Sequence, residues 1–487
     1  MINSIELKDF KKVSKFSSEL DKINILVGGN NSGKSSVLQG IHFAIMAEVV
    51  RRKLNRKTIS QDNLLYVPAA DFTLLRHNSP YTNYSGATSS LMLSEGTDNF
   101  TINLSKGRNH GNISIETYPN NKFRQTITAY KELYSSYTPG LSGIALSEKL
   151  VSKSVLRNAA ANGDANLFLR NILYYIKADN KLGELNNLLK KIFKDMSIYI
   201  TFNPDYDVYI GVNVIFKSSD IPLELCGTGV LQVIQIMAYV VYFNPKLLLL
   251  DEPDEHLHPN NQSLLCSALK TLSDNYQLQM IISTHSRTVI SEMKEDAKII
   301  WMKNGTVCQC DCSNDTYDIL VDLGALDSFD GVINGKYRTV FLTEDIDHKY
   351  IKQILKNTVS NYSEILIMSY KSCSLIDTAI QVADFIKKCA PNCKVIIHRD
   401  KDFMTPDELL VYRKKVESSG HIIWFTDGVD IESYFTSTKH LSYLLKKSED
   451  EINSIIEAIL IKNHVEIQHK FESKRKDVES IMYKDNL

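Results

Sequence analysis

Continuous apolar runs predict buried strands in the first two thirds of the chain. The strongest runs span residues 23–27, 246–250 and 279–283 and are rich in leucine or isoleucine, which is typical of strands covered on both faces. A helical pattern follows the first run, from residue 37 to residue 45, and another helix is predicted near residues 228–242. Strands that alternate with helices indicate an α/β fold with a parallel sheet.

The segments between these runs predict two insertions of different kinds. Residues 51–130 are turn-rich and contain short alternating runs, which predict a β-rich arm. Residues 140–197 carry leucines at irregular helical spacing and predict a helical insertion, without a long coiled coil because no heptad is sustained. Short strands are then predicted at residues 198–200 and 208–210.

A more regular pattern follows residues 325–337, a stretch with two glycines and no strong apolar period, where we place a domain junction. Beyond it, strands alternate with helices and predict a second, smaller parallel sheet. The predicted strands are 339–343, 364–368, 394–398 and 421–425, and the predicted helices are 348–358, 374–388 and 406–418. The predicted domains are therefore residues 1–330 and 336–487.

The composition narrows the class of protein. The chain has 487 residues, of which 43% are hydrophobic and 23% charged, as in a globular protein of several domains. The formal net charge of -1 excludes a generally basic surface, so any contact with nucleic acid requires a local patch. We expect no membrane span, because no apolar run reaches about 18 residues. Eight cysteines without an export signal predict reduced thiols in the cytoplasm.

Residues 28–35 match the phosphate-binding pattern G-x-x-x-x-G-K-S, and they stand between a predicted strand and a predicted helix. Glycines let backbone amides surround phosphate oxygens, and the helix N-terminus favours their negative charge. Lys34 is expected to reach the β- and γ-phosphates of ATP, and Ser35 to bind Mg²⁺. The candidate nucleotide-binding residues of this loop are Gly28, Asn30, Asn31, Ser32, Gly33, Lys34, Ser35 and Ser36.

Two later strands end in residues that suit ATP hydrolysis. The leucines at 247–250 lead into Asp251 and Glu252, and a carboxylate at this place supplies Mg²⁺ with its second protein contact, which we assign to Asp251. Glu252 can orient or deprotonate the attacking water. His285 follows the next strand and can contact a γ-phosphate, although a lone histidine is more often structural. We therefore predict Glu252 and His285 as catalytic residues.

These motifs together resemble the ABC-type ATPase heads of the RecF, SMC and OLD class, over about residues 1–325. Residues 226–232 stand where that class places a signature before the Asp-Glu strand. They depart from the commoner Leu-Ser-Gly-Gly-Gln form and resemble the Gly-x-Gly variant of OLD-like proteins. The resemblance implies that Gly227, Thr228 and Gly229 of one subunit cap ATP held by another. It therefore implies a homodimer of heads or a higher homo-oligomer.

Acidic residues follow the predicted strands of the C-terminal region. Glu344 follows the first strand, Asp400 and Asp402 the third, and Asp430 and Glu432 the fourth. Ligands bind at the carboxyl ends of parallel strands, and gathered carboxylates repel one another unless they are hydrated or bind Mg²⁺ or Mn²⁺. We predict metal ligands and catalysis of phosphodiester cleavage by Glu344, Asp400 and Asp402, with Glu432 as a further ligand. Solvated loop acids are the alternative.

A glutamate after the first strand and Asp-x-Asp after the third resemble the Toprim fold of topoisomerases, primases and OLD-family nucleases. Toprim glutamates are usually followed by glycine, whereas Asp345 follows Glu344 here. The region is also short. Both departures fit either a divergent nuclease or an inactive remnant.

The combined resemblance implies a bacterial or phage-encoded antiphage defence protein. ATP binding and hydrolysis would control a metal-dependent Toprim-like nuclease domain that acts on DNA. Basic clusters at residues 51–57 and 474–476 could contact DNA phosphates, although such clusters are more often solvated. The alternative is a regulatory ATPase scaffold with an inactive Toprim-like domain that senses phage and holds or releases a separate effector. A repair ATPase similar to RecF is a third hypothesis, against which the C-terminal α/β region argues.

Overall fold

The computed structural model describes residues 1–82, 87–139, 143–216, 219–255, 257–307, 331–332, 335–345, 347–370 and 376–484. The chain divides into two compact units, Met1–Cys308 and Gln309–Leu487, which we call the head and the C-terminal unit. Most of the junction predicted at 325–337 lies outside the described residues.

A sheet of twelve strands forms the frame of the head. Its strands are β1 (Ser4–Phe10), β2 (Val13–Glu19), β3 (Ile23–Val27), β4 (Thr58–Ser60), β5 (Thr88–Glu95), β6 (Asp98–Lys106), β7 (Asn112–Tyr118), β8 (Ser135–Thr138), β12 (Leu247–Asp251), β13 (Gln279–Thr284), β14 (Lys298–Lys303) and β15 (Thr306–Val307). The strand order is β4-β7-β6-β5-β1-β2-β15-β14-β3-β13-β12-β8. The part from β4 to β2 is antiparallel, and the part from β14 to β8 is parallel.

The parallel half contains the most apolar strands of the chain. Every residue of β3, β12 and β13 is buried, as their strongly apolar sequences predict. In register, Asp251 pairs with Ser283, and Thr284 pairs with Val27. The carboxyl ends of these three strands therefore lie side by side, and the loops that follow them share one edge of the sheet.

Helices cover the parallel strands and form the insertion. The head helices are α1 (Lys34–Leu54), α2 (Lys122–Ile127), α3 (Lys153–Asn162), α4 (Leu169–Ala178), α5 (Leu182–Ile192), α6 (Thr228–Phe243), α7 (Pro259–Asn275) and α8 (Arg287–Met293). Helix α1 packs against β1, β8 and β12, while α3 packs against β8. Helices α3 to α5 confirm the predicted helical insertion, and β4 to β7 confirm the β-rich character of residues 51–130.

A small antiparallel sheet follows the insertion. It consists of β9 (Met196–Thr201), β10 (Gly211–Phe216) and β11 (Ser219–Pro222), in the order β11-β10-β9. The prediction of a strand at residues 208–210 is wrong, because β10 begins only at Gly211. The preceding residues form a turn in which the Asn203 amide donates to the Asp207 carboxylate over 2.7 Å.

The C-terminal unit contains a separate sheet of four parallel strands in the order β17-β16-β18-β19. Its strands are β16 (Thr339–Thr343), β17 (Ile365–Ser369), β18 (Lys394–Arg399) and β19 (Ile422–Phe425). Its helices are α9 (Lys349–Thr358), α10 (Ile376–Cys389), α11 (Pro406–Ser418), α12 (Thr438–Leu445), α13 (Glu449–Lys462) and α14 (His464–Lys484).

These elements confirm the predicted fold class. An α/β head with antiparallel strands and a helical insertion is followed by a smaller parallel sheet. In the part of the chain that the structure describes, no helix is both long enough and apolar enough to cross a membrane.

Candidate nucleotide and carboxylate sites

The phosphate loop joins the buried end of β3 to the first residue of α1. Gly28 has φ 153° and Gly33 has φ 103°, and L side chains rarely adopt such backbone conformations. A Cβ on Gly28 would lie 2.5 Å from the carbonyl oxygen of Met302. The loop therefore requires glycine at this position. The N-terminus of α1 directs its free amides toward the loop, as phosphate binding requires.

Lys34 lies inside this loop with its side chain buried. Its Nζ donates to the carbonyl oxygens of Gly28 and Gly29 over 2.7 and 3.2 Å and lies 3.5 Å from Oε1 of Glu252. A buried ammonium group so placed suits a ligand that carries negatively charged oxygens.

The two predicted Mg²⁺ ligands of the nucleotide site are in direct contact. Ser35 Oγ donates to Asp251 Oδ1 over 2.9 Å. The same oxygen accepts a bond of 2.6 Å from Ser283 Oγ, and Oδ2 accepts one of 2.9 Å from the Tyr137 hydroxyl. A hydroxyl and a carboxylate are the oxygen ligands that Mg²⁺ prefers. The residues therefore fit a Mg²⁺ ion bound together with a nucleotide.

Glu252 occupies the centre of the site in a constrained conformation. Its φ of 48° is unusual for a non-glycine residue. Its amide donates to the carbonyl oxygen and to Oγ of Ser283 over 3.1 and 2.9 Å, which fixes the backbone. Its Oε1 lies 3.5 Å from Nδ1 of His285. The structure thus brings the predicted general base, His285 and Lys34 together.

Three residues that sequence reasoning missed extend the contacts of Asp251. Gln39 Nε2 donates to the Tyr137 hydroxyl over 3.2 Å, and Lys11 Nζ donates to Gln39 Oε1 over 2.6 Å. Burial lowers the pKa of Lys11, and the charge of Asp251 opposes that shift. Tyr137 lies in a strand of the sequence Ser-Ser-Tyr-Thr, which offers no apolar signal.

A basic cavity lies beside the phosphate loop. It has a volume of about 600 Å³ and is lined by Lys11, Lys12, Asn31, Leu74, Arg76, His77, Asn78 and Asn304. The lysines and the arginine in this lining give it a positive charge. The cavity shares Asn31 with the phosphate loop and therefore suits further parts of an anionic ligand.

The predicted signature lies at an exposed helix end. Gly227 precedes α6 and Thr228 is its first residue, and both are exposed. Gly229 is buried, and a Cβ there would lie 2.5 Å from Cγ of Asn261. The segment therefore presents two exposed residues at the N-terminus of α6. Its role in nucleotide binding stays a prediction.

In the C-terminal unit, the sheet order brings the predicted acids together. Glu344 follows β16 and Asp400 follows β18, and these strands are neighbours. The Asp400 amide donates to Glu344 Oε1. Asp402 has φ 44°, and its amide donates to the Val429 carbonyl over 2.6 Å. Asp430 caps the turn Ile431–Phe435 by accepting from the Ser433 amide.

Burial and mutual repulsion shift the titration of these acids. Burial raises the pKa of Glu344 to about 7, and Asp400 and Asp402 add to this shift while Arg399 opposes it. Burial likewise raises the pKa of Asp400 to about 7, and the carboxylates of Asp402, Asp430 and Glu432 add to that shift. Such perturbed acids are typical of functional sites.

Asp345 adds a further carboxyl group to this cluster, and Arg399 adds a positive charge. Burial raises the pKa of Asp345, with a contribution from Asp400. The guanidinium of Arg399 lies 4.3 Å from the centre of the Tyr412 ring and favours the charged form of Glu344. Within the described ranges, no group of three or more His, Cys, Asp or Glu side chains is placed to hold a metal ion. Metal binding here stays a prediction.

Both predicted DNA-contacting clusters contain residues with partners inside the protein. Arg51 pairs with Glu48, and Arg52 donates to the Gln125 carbonyl over 2.9 Å. In the second cluster, Arg475 forms two hydrogen bonds of 2.8 and 3.0 Å with the Glu408 carboxylate. These arginines therefore stabilise the fold.

A family model described as an AAA ATPase domain matches residues 1–79 and 97–290, which is more than half of the 487 residues. The chain belongs to this family. The match contains the phosphate loop, Asp251, Glu252 and His285, and the protein is therefore an ATPase.

Two curated relatives align with parts of the chain. The chain is 21% identical over 315 residues to the OLD nuclease of Thermus scotoductus, and the alignment covers 59% of each protein. It is 32% identical over 122 residues to the uncharacterized protein MJ1542 of Methanocaldococcus jannaschii, over 23% of this chain and 15% of that one. Both alignments span less than two thirds of the relative.

A comparison with solved structures finds an SMC head bound to the C-winged-helix domain of ScpA. It is 17% identical, with a TM-score of 0.43 and coverage of 63% of this chain and 95% of that one.

Proposed function

We propose that ATP binding and hydrolysis in the head control a metal-dependent nuclease site in the C-terminal unit. The protein would act on DNA in the cytoplasm, in defence against phage. The proposal joins the ATPase family of the head with the carboxylates that gather after β16 and β18.

The nucleotide site supports a defined division of roles in ATP hydrolysis. Lys34 binds the phosphates, while Ser35 and Asp251 hold Mg²⁺, which neutralises phosphate charge when it is bound. Glu252 orients the attacking water and accepts its proton. Its backbone is fixed by the bonds to Ser283, and its Oε1 lies 3.5 Å from Lys34 Nζ. His285, beside Glu252, contacts the γ-phosphate.

The bond between the Asp400 amide and Glu344 is the observation that carries the nuclease proposal. It joins residues that are 56 positions apart and places two carboxyl groups at one edge of the sheet. Mg²⁺ or Mn²⁺ would neutralise them and activate water for attack on a phosphodiester. Glu344, Asp400 and Asp402 are the proposed ligands, with Glu432 in support. Similarity to an OLD nuclease over 59% of the chain agrees with this function.

Two observations favour the second candidate, a regulatory ATPase scaffold with an inactive Toprim-like domain. Asp345 stands in place of the usual glycine and adds a charge to the cluster. Arg399 supplies a positive charge near Glu344 and can partly replace a metal ion. In that case the C-terminal unit would hold a separate effector and release it on infection.

Parallel assays of the wild type, Lys34→Ala and Asp400→Ala distinguish the two candidates. We expect Lys34→Ala to lose ATP hydrolysis and nucleotide control of cleavage. Asp400→Ala should lose cleavage of DNA in Mg²⁺ or Mn²⁺ and keep ATP hydrolysis. Asp407→Ala, which removes an exposed carboxylate from α11, is the matched control and should keep both activities.

Two outcomes would reject the nuclease proposal. One is a wild-type protein that cleaves no nucleic acid in any nucleotide state. The other is full protection against phage by cells that carry Asp400→Ala, which would support the scaffold. Loss of protection in Lys34→Ala alone would likewise place the function in the head.

A further inference from the structure

Tyr137 connects the helical insertion with the carboxylate of Asp251. It lies on β8, which pairs in parallel with β12 so that Tyr137 is in register with Leu249. Its side chain is buried. Its hydroxyl donates to Asp251 Oδ2 over 2.9 Å and accepts from Gln39 over 3.2 Å. The two oxygens of Asp251 are thus held from different sides, since Ser35 and Ser283 both bind Oδ1.

The ring of Tyr137 contacts the end of α3. Gly163 is the C-cap of that helix, with φ 86°, and a Cβ on it would lie 3.2 Å from Cδ1 of Tyr137. The buried ring of His42 adds a second connection, because its Nε2 contacts the Ala161 carbonyl and its Nδ1 contacts Ser135 Oγ, both at 2.8 Å. A shift of α3 would therefore press on β8 and on Tyr137.

We propose that Tyr137 is a positioning residue for ATP hydrolysis, which orients the Asp251 carboxylate and transmits movement of the helical insertion to it. The inference rests on the proposed role of Asp251 as a Mg²⁺ ligand. A carboxylate held only through Oδ1 can rotate about its side-chain torsion, whereas the bond from Tyr137 to Oδ2 fixes its plane. Groups that orient a metal ligand in this way typically change metal affinity or activity about 10–100-fold when they are removed.

Tyr137→Phe tests the orientation of Asp251, because it removes the hydroxyl and keeps the ring against Gly163. We expect Mn²⁺ affinity of the ATP complex, measured by electron paramagnetic resonance, to fall about tenfold or more. The turnover number should fall as well, while ATP affinity in EDTA stays at the wild-type value. Tyr81→Phe is the matched control, since Tyr81 is buried and its hydroxyl donates to Ser89 over 2.5 Å in the same unit.

Gly163→Ala tests the connection to the insertion. The new methyl group would press on the ring of Tyr137 and should weaken Mn²⁺ binding severalfold. Gly111→Ala controls for backbone strain, because Gly111 has φ 73° and open space around it. In the double variant with Tyr137→Phe, the effect of Gly163→Ala on Mn²⁺ affinity should disappear.

The outcomes separate this inference from the proposed role of Asp251. Unchanged Mn²⁺ affinity in Tyr137→Phe would overturn the inference, as would equal effects in Tyr137→Phe and Tyr81→Phe. Additive effects of Gly163→Ala and Tyr137→Phe would overturn the connection to the insertion. Asp251→Asn should weaken Mn²⁺ binding to the ATP complex more than Tyr137→Phe does. If it does not, the proposed ligand itself is wrong.

Discussion

The carboxylates of the two sites have different surroundings. Asp251 accepts hydrogen bonds from the hydroxyls of Ser35, Ser283 and Tyr137, which stabilise its negative charge. Glu344 and Asp400 are instead desolvated next to other acids. Neutral donors therefore stabilise the carboxylate of the nucleotide site, whereas ionisation of the carboxylate cluster is unfavourable.

That difference predicts how Asp400→Asn changes stability with pH. The pKa of Asp400 is raised to about 7 in the folded protein but is about 3.9 in an unfolded chain. Its contribution to stability is thus full below pH 4 and is lost as the pH rises toward 7. We expect Asp400→Asn in EDTA to raise the melting temperature by a few degrees at pH 8. At pH 5 the increase should be smaller.

Scanning calorimetry at pH 5 and pH 8 measures the effect. Asp407→Asn, which changes an exposed carboxylate on α11, should show no such difference between the two pH values. An equal change for Asp400→Asn at both pH values would contradict the prediction, because it would mean that ionisation of this group costs no free energy of folding.

At the scale of elements, α1 connects the phosphate loop with the antiparallel arm. Its residue Glu48 has a fully buried side chain that pairs with Arg51 and Arg124 and accepts from Thr117 of β7 over 2.7 Å. Arg124 belongs to α2 and is itself buried. One carboxylate therefore holds α1, α2 and β7 together.

Glu48→Ala should destabilise the head strongly. The change leaves the buried guanidinium of Arg124 without its partner, and breaking a buried ion pair costs about 3–5 kcal/mol. Urea denaturation followed by circular dichroism measures the loss. Glu116→Ala is the control. It removes an exposed carboxylate from β7, the strand of Thr117, and should change the free energy of unfolding by about 0.5 kcal/mol or less. Similar losses in the two variants would contradict the role of Glu48.

The elements that could be predicted from the sequence are those whose own residues show a pattern of buried apolar positions. β3, β12 and β13 are mostly apolar, and every residue in them is buried. The motifs at their ends follow from the loop chemistry. β8 was missed, since its four residues are polar or aromatic and are buried only because α1 and α3 pack on them. Helix α14 was missed because most of its residues are exposed, which leaves no apolar period to read.

The same distinction applies to the candidate sites. Lys34, Asp251, Glu252 and His285 could be found from short motifs after strands. Tyr137 could not, because its role depends on the pairing of β8 with β12, which no local pattern encodes. The order of the C-terminal strands was also needed before Glu344 and Asp400 could be said to touch.

At the scale of the whole molecule, the head presents two complementary features on its surface. The phosphate loop carries the groups for one ATP, while Gly227 and Thr228 are exposed at the start of α6. An exposed helix N-terminus can bind a phosphate. If that phosphate belongs to ATP on a second head, the same contact occurs twice in a two-fold dimer, and ATP becomes part of the interface.

This arrangement predicts assembly that depends on ATP. Glu252→Gln should slow hydrolysis so that ATP persists, and its sedimentation coefficient should then increase when ATP and Mg²⁺ are added. Adding Thr228→Lys should prevent the increase, because a long side chain would occupy the proposed interface while Thr228 itself is exposed. Ser219→Lys, at another exposed position, is the control and should leave assembly intact. A sedimentation coefficient that does not respond to ATP, or a response that Thr228→Lys leaves unchanged, would contradict a nucleotide shared between two heads.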